Sequence, residues 1–335
     1  MQEHYKKKLL FLEELYLEKD FLKELKKYYK ITYFKKNISK LKNINDYDCI
    51  YSNFENKLDR KIIEKAISLK TIVSNVTGED YIDTDYAKKR NIKIFSLKGK
   101  KNFLKKIFST AEFTWGLILS ITRKIPHSCN SFLKNHKISR YNYIGHNLSG
   151  KNIGFLGFGR NAKIMSRYAK AFRMKIFYND INKNNNKNFI YLSKKKLFKS
   201  SDILVVSISS NKSTYQIVNR ALLSKSKKNM ILINTSRPEL INQNDLLESL
   251  KNNKIYGAAL DFLSKKIKDR SSSIKLINYA KKNNNLIITP HLGGVSIESL
   301  RLTQRYVFEQ LIKYEKNLNL IKTSGYKKSV KTFVQ

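Results

Sequence analysis

The chain has 335 residues, 41% of them hydrophobic, and carries 67 lysines and arginines against 26 aspartates and glutamates, for a formal net charge of +41. That length favours two domains over one core, and that apolar fraction excludes a chain too polar to fold. No run of about 18 apolar residues occurs, which excludes a transmembrane helix. Two cysteines, Cys49 and Cys129, make neither a disulfide framework nor a metal spacing, so no metal is expected. Such sparing use of thiols suits a reducing cytoplasm.

The charge has two readings. A basic footprint points to nucleic acid or membrane. The other reading is compositional: Lys, Asn, Ile, Tyr and Phe, with A/T-rich codons, are abundant, whereas Gly (12) and Pro (3) are scarce. The basic residues run along the whole length and form no single arm. No helix-turn-helix, zinc or RNA-binding motif appears, so the compositional reading is preferred and no specific nucleic-acid partner is expected.

The N-terminal segment MQEHYKKKLLFLEELYLEKD places basic residues before an apolar patch that glutamates interrupt at once. It reads as a first strand and not as a signal peptide. Strands are expected at 9–12, 31–34, 48–51, 71–74 and 93–96, with helices at 21–29 and 60–68, which describes a small α/β domain with a parallel sheet. A long helix begins near Ser109, where Ser109 and Glu112 have capping-box spacing. Its body, FTWGLILSI, is apolar almost all round and must be buried between layers or subunits. Residues 126–149 read as a polar connection.

Residues 150–180, GKNIGFLGFGRNAKIMSRYAKAFRMKIFYND, hold the parts of a dinucleotide-binding βαβ unit in order. A short apolar strand leads into Gly157, for a tight turn, and Gly159, for close approach of a pyrophosphate. Ala162 keeps the following helix near its strand. The helix start offers free N–H groups and a positive dipole end. A second strand ends on Asp180, placed for ribose hydroxyls. Its charge would repel a 2′-phosphate, which favours NAD over NADP. Further strands are expected at 203–208, 230–234, 255–260 and 286–289, and helices at 242–251 and 297–314. Lysine and asparagine runs at 182–188 and 281–285 read as loops, and the basic end, LIKTSGYKKSVKTFVQ, as a mobile tail.

Asp180, Thr235, Ser236, Arg237, Asp261 and His291 each follow an apolar run directly. In an open parallel sheet those strand ends face the ligand crevice. Arg237 offers a planar, permanently charged fork suited to a carboxylate. His291, after Pro290 and before Gly293 and Gly294, can exchange a proton near neutral pH.

With these motifs the chain resembles the D-isomer-specific 2-hydroxyacid dehydrogenases. The likeness rests on VTGEDYIDTDYAKKRNIKI, STAEFTWGLILSITRKI, LSGKNIGFLGFGRNA, INTSRPELINQNDLLESLKNNKIYGAALD and NLIITPHLGG, within about residues 70–315. The resemblance implies an α/β fold of two domains separated by a cleft, with a Rossmann-type NAD domain (106–295) inserted into a flavodoxin-like substrate domain (1–105). A C-terminal helix (296–320) returns to the substrate domain, and a basic tail (321–335) follows. It further implies that Arg160 and Asn161 lie against the pyrophosphate, that Asp180 holds the ribose, and that Thr235 and Ser236 line the cofactor. Asp261 would face the nicotinamide carboxamide, with Thr114 nearby, and the backbone of Val76, Thr77 and Gly78 would bind the substrate carboxylate. Arg237 would hold the substrate and His291 would serve as acid/base for its oxygen, in a homodimer paired through the cofactor domains.

Two positions depart from the family pattern. Lys266 stands where the family has a glutamate that hydrogen-bonds the histidine; a lysine accepts no such bond and disfavours the imidazolium form. Asp269 is a candidate substitute. Pro238 replaces a glycine after the arginine. The alternative expectation is therefore an NAD-binding protein with weak or lost turnover that acts as a sensor or scaffold. The residues that would choose the substrate side chain, at 52–56 and 98–103, match no motif.

Overall fold

The computed structural model describes residues 6–183, 188–264 and 269–330, with side chains through residue 318. The chain divides into two compact units: Met1–Lys106 with Ser296–Gln335, and Ile107–Val295.

The first unit contains β1 (Lys7–Phe11), α1 (Lys19–Tyr28), β2 (Tyr29–Tyr33), β3 (Cys49–Tyr51), α2 (Arg60–Lys65), β4 (Thr71–Val73), α3 (Thr84–Lys89), β5 (Lys93–Phe95) and α4 (Lys101–Leu104). Its five strands are all parallel, in the order β2-β1-β3-β4-β5. Both faces are apolar, as a sheet covered on both sides requires. Leu10, Ile50 and Ile72 face one way, packed with Ile63 and Ala87 of the neighbouring helices. Leu9, Phe11, Cys49, Tyr51 and Val73 face the other, against Phe21 and Leu25 and against Val307, Phe308, Leu311 and Ile312 of the last helix (Ile297–Val330). The rings of Phe11, Tyr51 and Phe308 lie 5.2–5.4 Å apart by centroid. Deeper along that helix the carboxylate of buried Glu315 accepts from Tyr29 Oη at 2.6 Å and meets Lys7 Nζ at 2.5 Å, so the charge is paired. Burial pushes the Cys49 thiol up to about 12, which leaves it inert at neutral pH.

The second unit contains α5 (Ser109–Thr122), α6 (Ile125–Lys134), β6 (Asn152–Leu156), α7 (Arg160–Ala171), β7 (Lys175–Asn179), β8 (Ile190–Tyr191), α8 (Lys194–Ser200), β9 (Ile203–Val206), α9 (Arg220–Leu223), β10 (Ile231–Asn234), α10 (Gln243–Lys251), β11 (Gly257–Leu260), α11 (Arg270–Lys282) and β12 (Leu286–Ile288). The last helix of the chain is thus α12. The seven strands form one parallel sheet, ordered β12-β11-β10-β9-β6-β7-β8. The chain lays β7 and β8 on one side of β6, then crosses back to lay β9 on the other. Strand order reverses between β6 and β9, and a doubly wound sheet opens its ligand crevice at the carboxyl ends there.

Three expectations need correction. The Ser109–Glu112 capping box does not form: Phe108 is the N-cap, no side chain caps the helix, and Ser109 is already helical with its hydroxyl buried and unbonded. One residue inside the helix, that hydroxyl is past the N-cap position from which it would reach the N3 amide. The supposed connection at 126–149 contains α6 and a short 3-10 turn at Arg140–Tyr143. Its mixed composition hid the helical period, although Pro126 in the first turn is a start signal. The last helix also runs past 314, to Val330, through a stretch read as tail; no proline interrupts it. The apolar body of α5 is explained as expected: Ala111, Leu117, Ile118 and Ile121 pack within the second unit against Ile153, Ile233 and Ala259 of its sheet.

The packing of α12 makes Phe308→Ala informative. Removing a fully buried ring that touches two others is expected to cost about 3–5 kcal/mol. Chemical denaturation followed by far-UV circular dichroism would measure it, and a loss below about 1 kcal/mol would show that the helix is not part of this core.

Candidate active site

The glycine turn sits at the point where strand order reverses. Gly157 has φ +93°, and a Cβ there would lie 2.6 Å from both the Ser207 carbonyl and Ile208 Cγ2, just beyond β9. Backbone conformation and the neighbouring strand both demand glycine. Gly159 is the N-cap of α7, and a Cβ on it would meet nothing within 4 Å. No protein atom therefore requires a glycine there, and the space in front of it is open at the start of α7. Asn161 Oδ1 is buried without a partner at the same turn, and Ala162 is fully buried against the sheet.

Asp180 directly follows β7 and is tied to that turn. Its Oδ2 accepts the Phe158 N–H at 2.6 Å and its Oδ1 the Asn182 N–H at 2.9 Å. The carboxylate is thus held as an acceptor beside the glycine turn. The Arg160 guanidinium donates to the Ile107 carbonyl, and burial lowers its pKa. Its side chain is engaged with the segment that leads into α5, while its backbone N–H remains in the first turn of α7.

At the end of β10, Asn234 is buried and shapes the next three residues. Its Nδ2 donates to the Arg237 carbonyl at 2.9 Å and its Oδ1 accepts from Ser236 N–H at 3.0 Å. Ser236 Oγ donates to the Val206 carbonyl at 2.9 Å. Thr235 and Thr114 hydroxyls are 2.7 Å apart, and Thr114 donates to the Thr110 carbonyl. A hydroxyl has one proton, so Thr235 is the donor of the pair. Arg237 is half-buried, with NH1 on the Ser236 carbonyl at 2.9 Å. Pro238 opens a 3-10 turn, Pro238–Leu240. Sequence reading passed over Asn234; its signal was a polar residue closing an otherwise apolar strand.

His291 occupies a left-handed turn with φ +64°, which a non-glycine residue rarely adopts. Asp261 holds that turn. Its carbonyl accepts the His291 N–H at 2.6 Å. Its buried carboxylate accepts from Thr289 Oγ1 at 2.7 Å, Leu292 N–H at 2.8 Å and Gly293 N–H at 2.7 Å. The imidazole lies 4.7 Å from the Phe262 ring by centroid. Strain of about 1–3 kcal/mol at such a residue persists only where its surroundings impose it, as Asp261 does here.

The second unit thus arrays Asp180, the glycine turn, Thr114, Thr235, Ser236, Arg237, Asp261 and His291 along the carboxyl edge of one sheet. Val76, Thr77 and Gly78 belong to the first unit, after β4, where Val76 N–H reaches Ser74 Oγ at 3.4 Å. Lys266 lies outside the described residues. Asp269, the candidate substitute, accepts from Ser264 Oγ at 2.6 Å.

Residues 115–293 match the family model described as the NAD binding domain of D-isomer specific 2-hydroxyacid dehydrogenases. The chain belongs to the D-isomer-specific 2-hydroxyacid dehydrogenases. It is 30% identical to a hydroxypyruvate reductase of Thermotoga maritima over 274 residues, 82% of this chain and 86% of that one. It is 28% identical to a glyoxylate reductase of Thermococcus litoralis over 287 residues, 82% and 83% of the two chains. Its fold is that of a D-lactate dehydrogenase from Aquifex aeolicus solved with NAD and lactic acid, with a TM-score of 0.76 at 24% identity, covering 94% of this chain and 98% of that one. The chain is an oxidoreductase of this family and uses NAD. The matched stretch contains the glycine turn, the turn after β10 and the turn that carries His291. The open space before Gly159, the unpaired Asn161 oxygen and the acceptor Asp180 fit a dinucleotide.

Asp261→Asn tests the clamp. An amide cannot accept all three donors, so stability is expected to fall by about 1–3 kcal/mol. Turnover, read as NADH consumption, should fall at least tenfold; full turnover in the variant would remove Asp261 from the machinery.

Proposed function

We propose that the protein interconverts small 2-keto acids and their 2-hydroxy acids, with Arg237 binding the substrate and His291 as acid/base. The observation that carries this reading is the clamped left-handed turn at His291, on the same sheet edge as the glycine turn. Bound NAD supplies the hydride acceptor. The N–H groups at the start of α7, with Arg160 and Asn161, take the pyrophosphate. Asp180 takes the ribose hydroxyls and by its charge disfavours a 2′-phosphate. Thr235 and Ser236 line the cofactor, while Thr114 and Asp261 serve its nicotinamide end. The Arg237 fork holds the substrate carboxylate and polarises the carbonyl oxygen. His291 gives that oxygen a proton in reduction and removes it in oxidation. The reductases of glyoxylate and hydroxypyruvate among the relatives support a substrate of two or three carbons.

The alternative reading is a member with weak turnover that serves as a sensor or scaffold. The residues that favour it are Lys266 and Pro238. A homodimer is also part of the proposal, supported by Phe132, Leu133, Tyr141 and Ile144, which are exposed on α6 and the turn after it. Among the described residues no helix is long and apolar enough to cross a membrane; a cytoplasmic setting is proposed from the sparing use of cysteine.

Two measurements decide. NADH consumption with glyoxylate and hydroxypyruvate should saturate in wild type and fall by about 10²-fold or more in His291→Asn; tight NADH binding with no turnover of any keto acid would support the alternative instead. Lys266→Glu restores the residue that the family resemblance implies for hydrogen-bonding the histidine, and should extend activity to higher pH, because a neighbouring carboxylate favours the charged imidazole. An unchanged pH–rate profile would show that Lys266 does not act on His291.

A further inference from the structure

The Asp261 clamp holds the backbone of His291 but does not by itself aim the ring. The outer torsion of a histidine side chain is broad and roughly two-fold, so a fixed Cα leaves the imidazole nitrogens free to face several ways. The residue next to the clamp reaches the ring itself. β11 and β12 are adjacent parallel strands whose last paired residues are Leu260 and Ile288, and the Thr289 N–H extends the ladder to the Leu260 carbonyl at 2.9 Å. Matched strand ends thus deliver Asp261 and Phe262 alongside the loop from Thr289 to Gly293. Asp261 takes the backbone of that loop. The Phe262 ring stands against the imidazole, with centroids 4.7 Å apart and planes at 64°. Aromatic pairs prefer this edge-to-face arrangement to a flat sandwich. Both side chains are half-buried. The loop is also held in close approach, since a Cβ on Gly293 would come within 2.9 Å of Asp261 Oδ2.

We infer that Phe262 is a positioning residue for His291: its ring sets the tilt of the imidazole and so keeps the proton-exchanging nitrogen in its working orientation. The inference rests on the keto-acid reading above, in which His291 is the acid/base. Two consecutive residues then divide the task, Asp261 fixing where the histidine stands and Phe262 fixing how its ring is turned. At Lys266 the family resemblance implies a glutamate bonded to the histidine; a lysine accepts no hydrogen bond, and an aromatic neighbour restrains a ring without needing an acceptor. Loss of such a restraint spreads the imidazole over unproductive orientations. That slows the chemical step and leaves ground-state binding of the substrate in place. Leucine would keep much of the volume at this position and lose the aromatic edge, whereas tyrosine would keep the ring, so the two separate positioning from packing.

The test compares Phe262→Leu with Phe262→Tyr in the full chain. With NADH and glyoxylate or hydroxypyruvate, Phe262→Leu should lower kcat by about three- to tenfold, the rate equivalent of one aromatic pair, with KM nearly unchanged. Phe262→Tyr should return kcat to near the wild-type value. The second readout needs no turnover. In NMR spectra of protein with labelled histidine, the His291 ring signals, assigned by their loss in His291→Asn, should be displaced by the ring current of Phe262. Phe262→Leu should abolish that displacement and Phe262→Tyr should keep it. An unchanged kcat in Phe262→Leu, equal losses in the two variants, or His291 signals that Phe262→Leu leaves in place would overturn the assignment and leave the keto-acid reading standing. A wild-type protein that shows the displaced signals yet reduces neither keto acid would overturn the keto-acid reading, and the role in proton exchange with it.

Discussion

Asp261 spends a whole carboxylate on three residues of the loop that follows β12. Two backbone N–H groups and one hydroxyl converge on it from a stretch of five residues, and its own carbonyl takes a fourth donor, the His291 N–H. Ionised acceptors make the stronger hydrogen bonds, and a buried one left short of donors is costly. The loop and the aspartate therefore need each other. That mutual need holds a histidine in a left-handed conformation it would otherwise avoid.

The same logic recurs along the sheet edge. Asp180 accepts an N–H from inside the glycine turn, and Asn234 accepts and donates within the turn that bears Arg237. In each case a polar residue at a strand end spends its hydrogen bonds on the loop that carries the proposed chemistry. Parallel strands bring these loops to one edge because every crossover returns the chain in the same direction. The edge is rigid where the strands end, and the loops inherit that rigidity through short polar anchors.

The first unit is organised differently. Its core is built from alternating apolar strand residues and from α12, which arrives from the far end of the chain and packs Phe308 between Phe11 and Tyr51. Its polar strand ends bond among themselves: Asn56 Nδ2 donates to Glu13, and the Tyr81 hydroxyl meets the Ser52 carbonyl and Ser74 Oγ. The charge of +41 is a poor guide to this protein's partners. The family it belongs to binds a dinucleotide, and a broad positive field adds attraction for anions without choosing among them.

Much of this was legible in the chain itself. Apolar runs of strand length, the spacing of Gly157, Gly159 and Ala162, and a polar residue directly after each run follow from local rules with a period of two or a fixed turn, so they survive without knowledge of the fold. The α6 helix was not legible, because its proline, serines and asparagine obscure the period, and the Ser109 cap misled, because a helix boundary moved by one residue changes which N–H a side chain can reach. The sequence by itself determined the parallel α/β architecture and the dinucleotide turn, and marked Arg237 and His291 as candidates. Only the tertiary structure decided that Asp261 is the clamp on His291 and that Asn234 shapes the arginine turn. Those bonds link residues up to tens of positions apart, and their donors and acceptors meet only after the strands have taken their order.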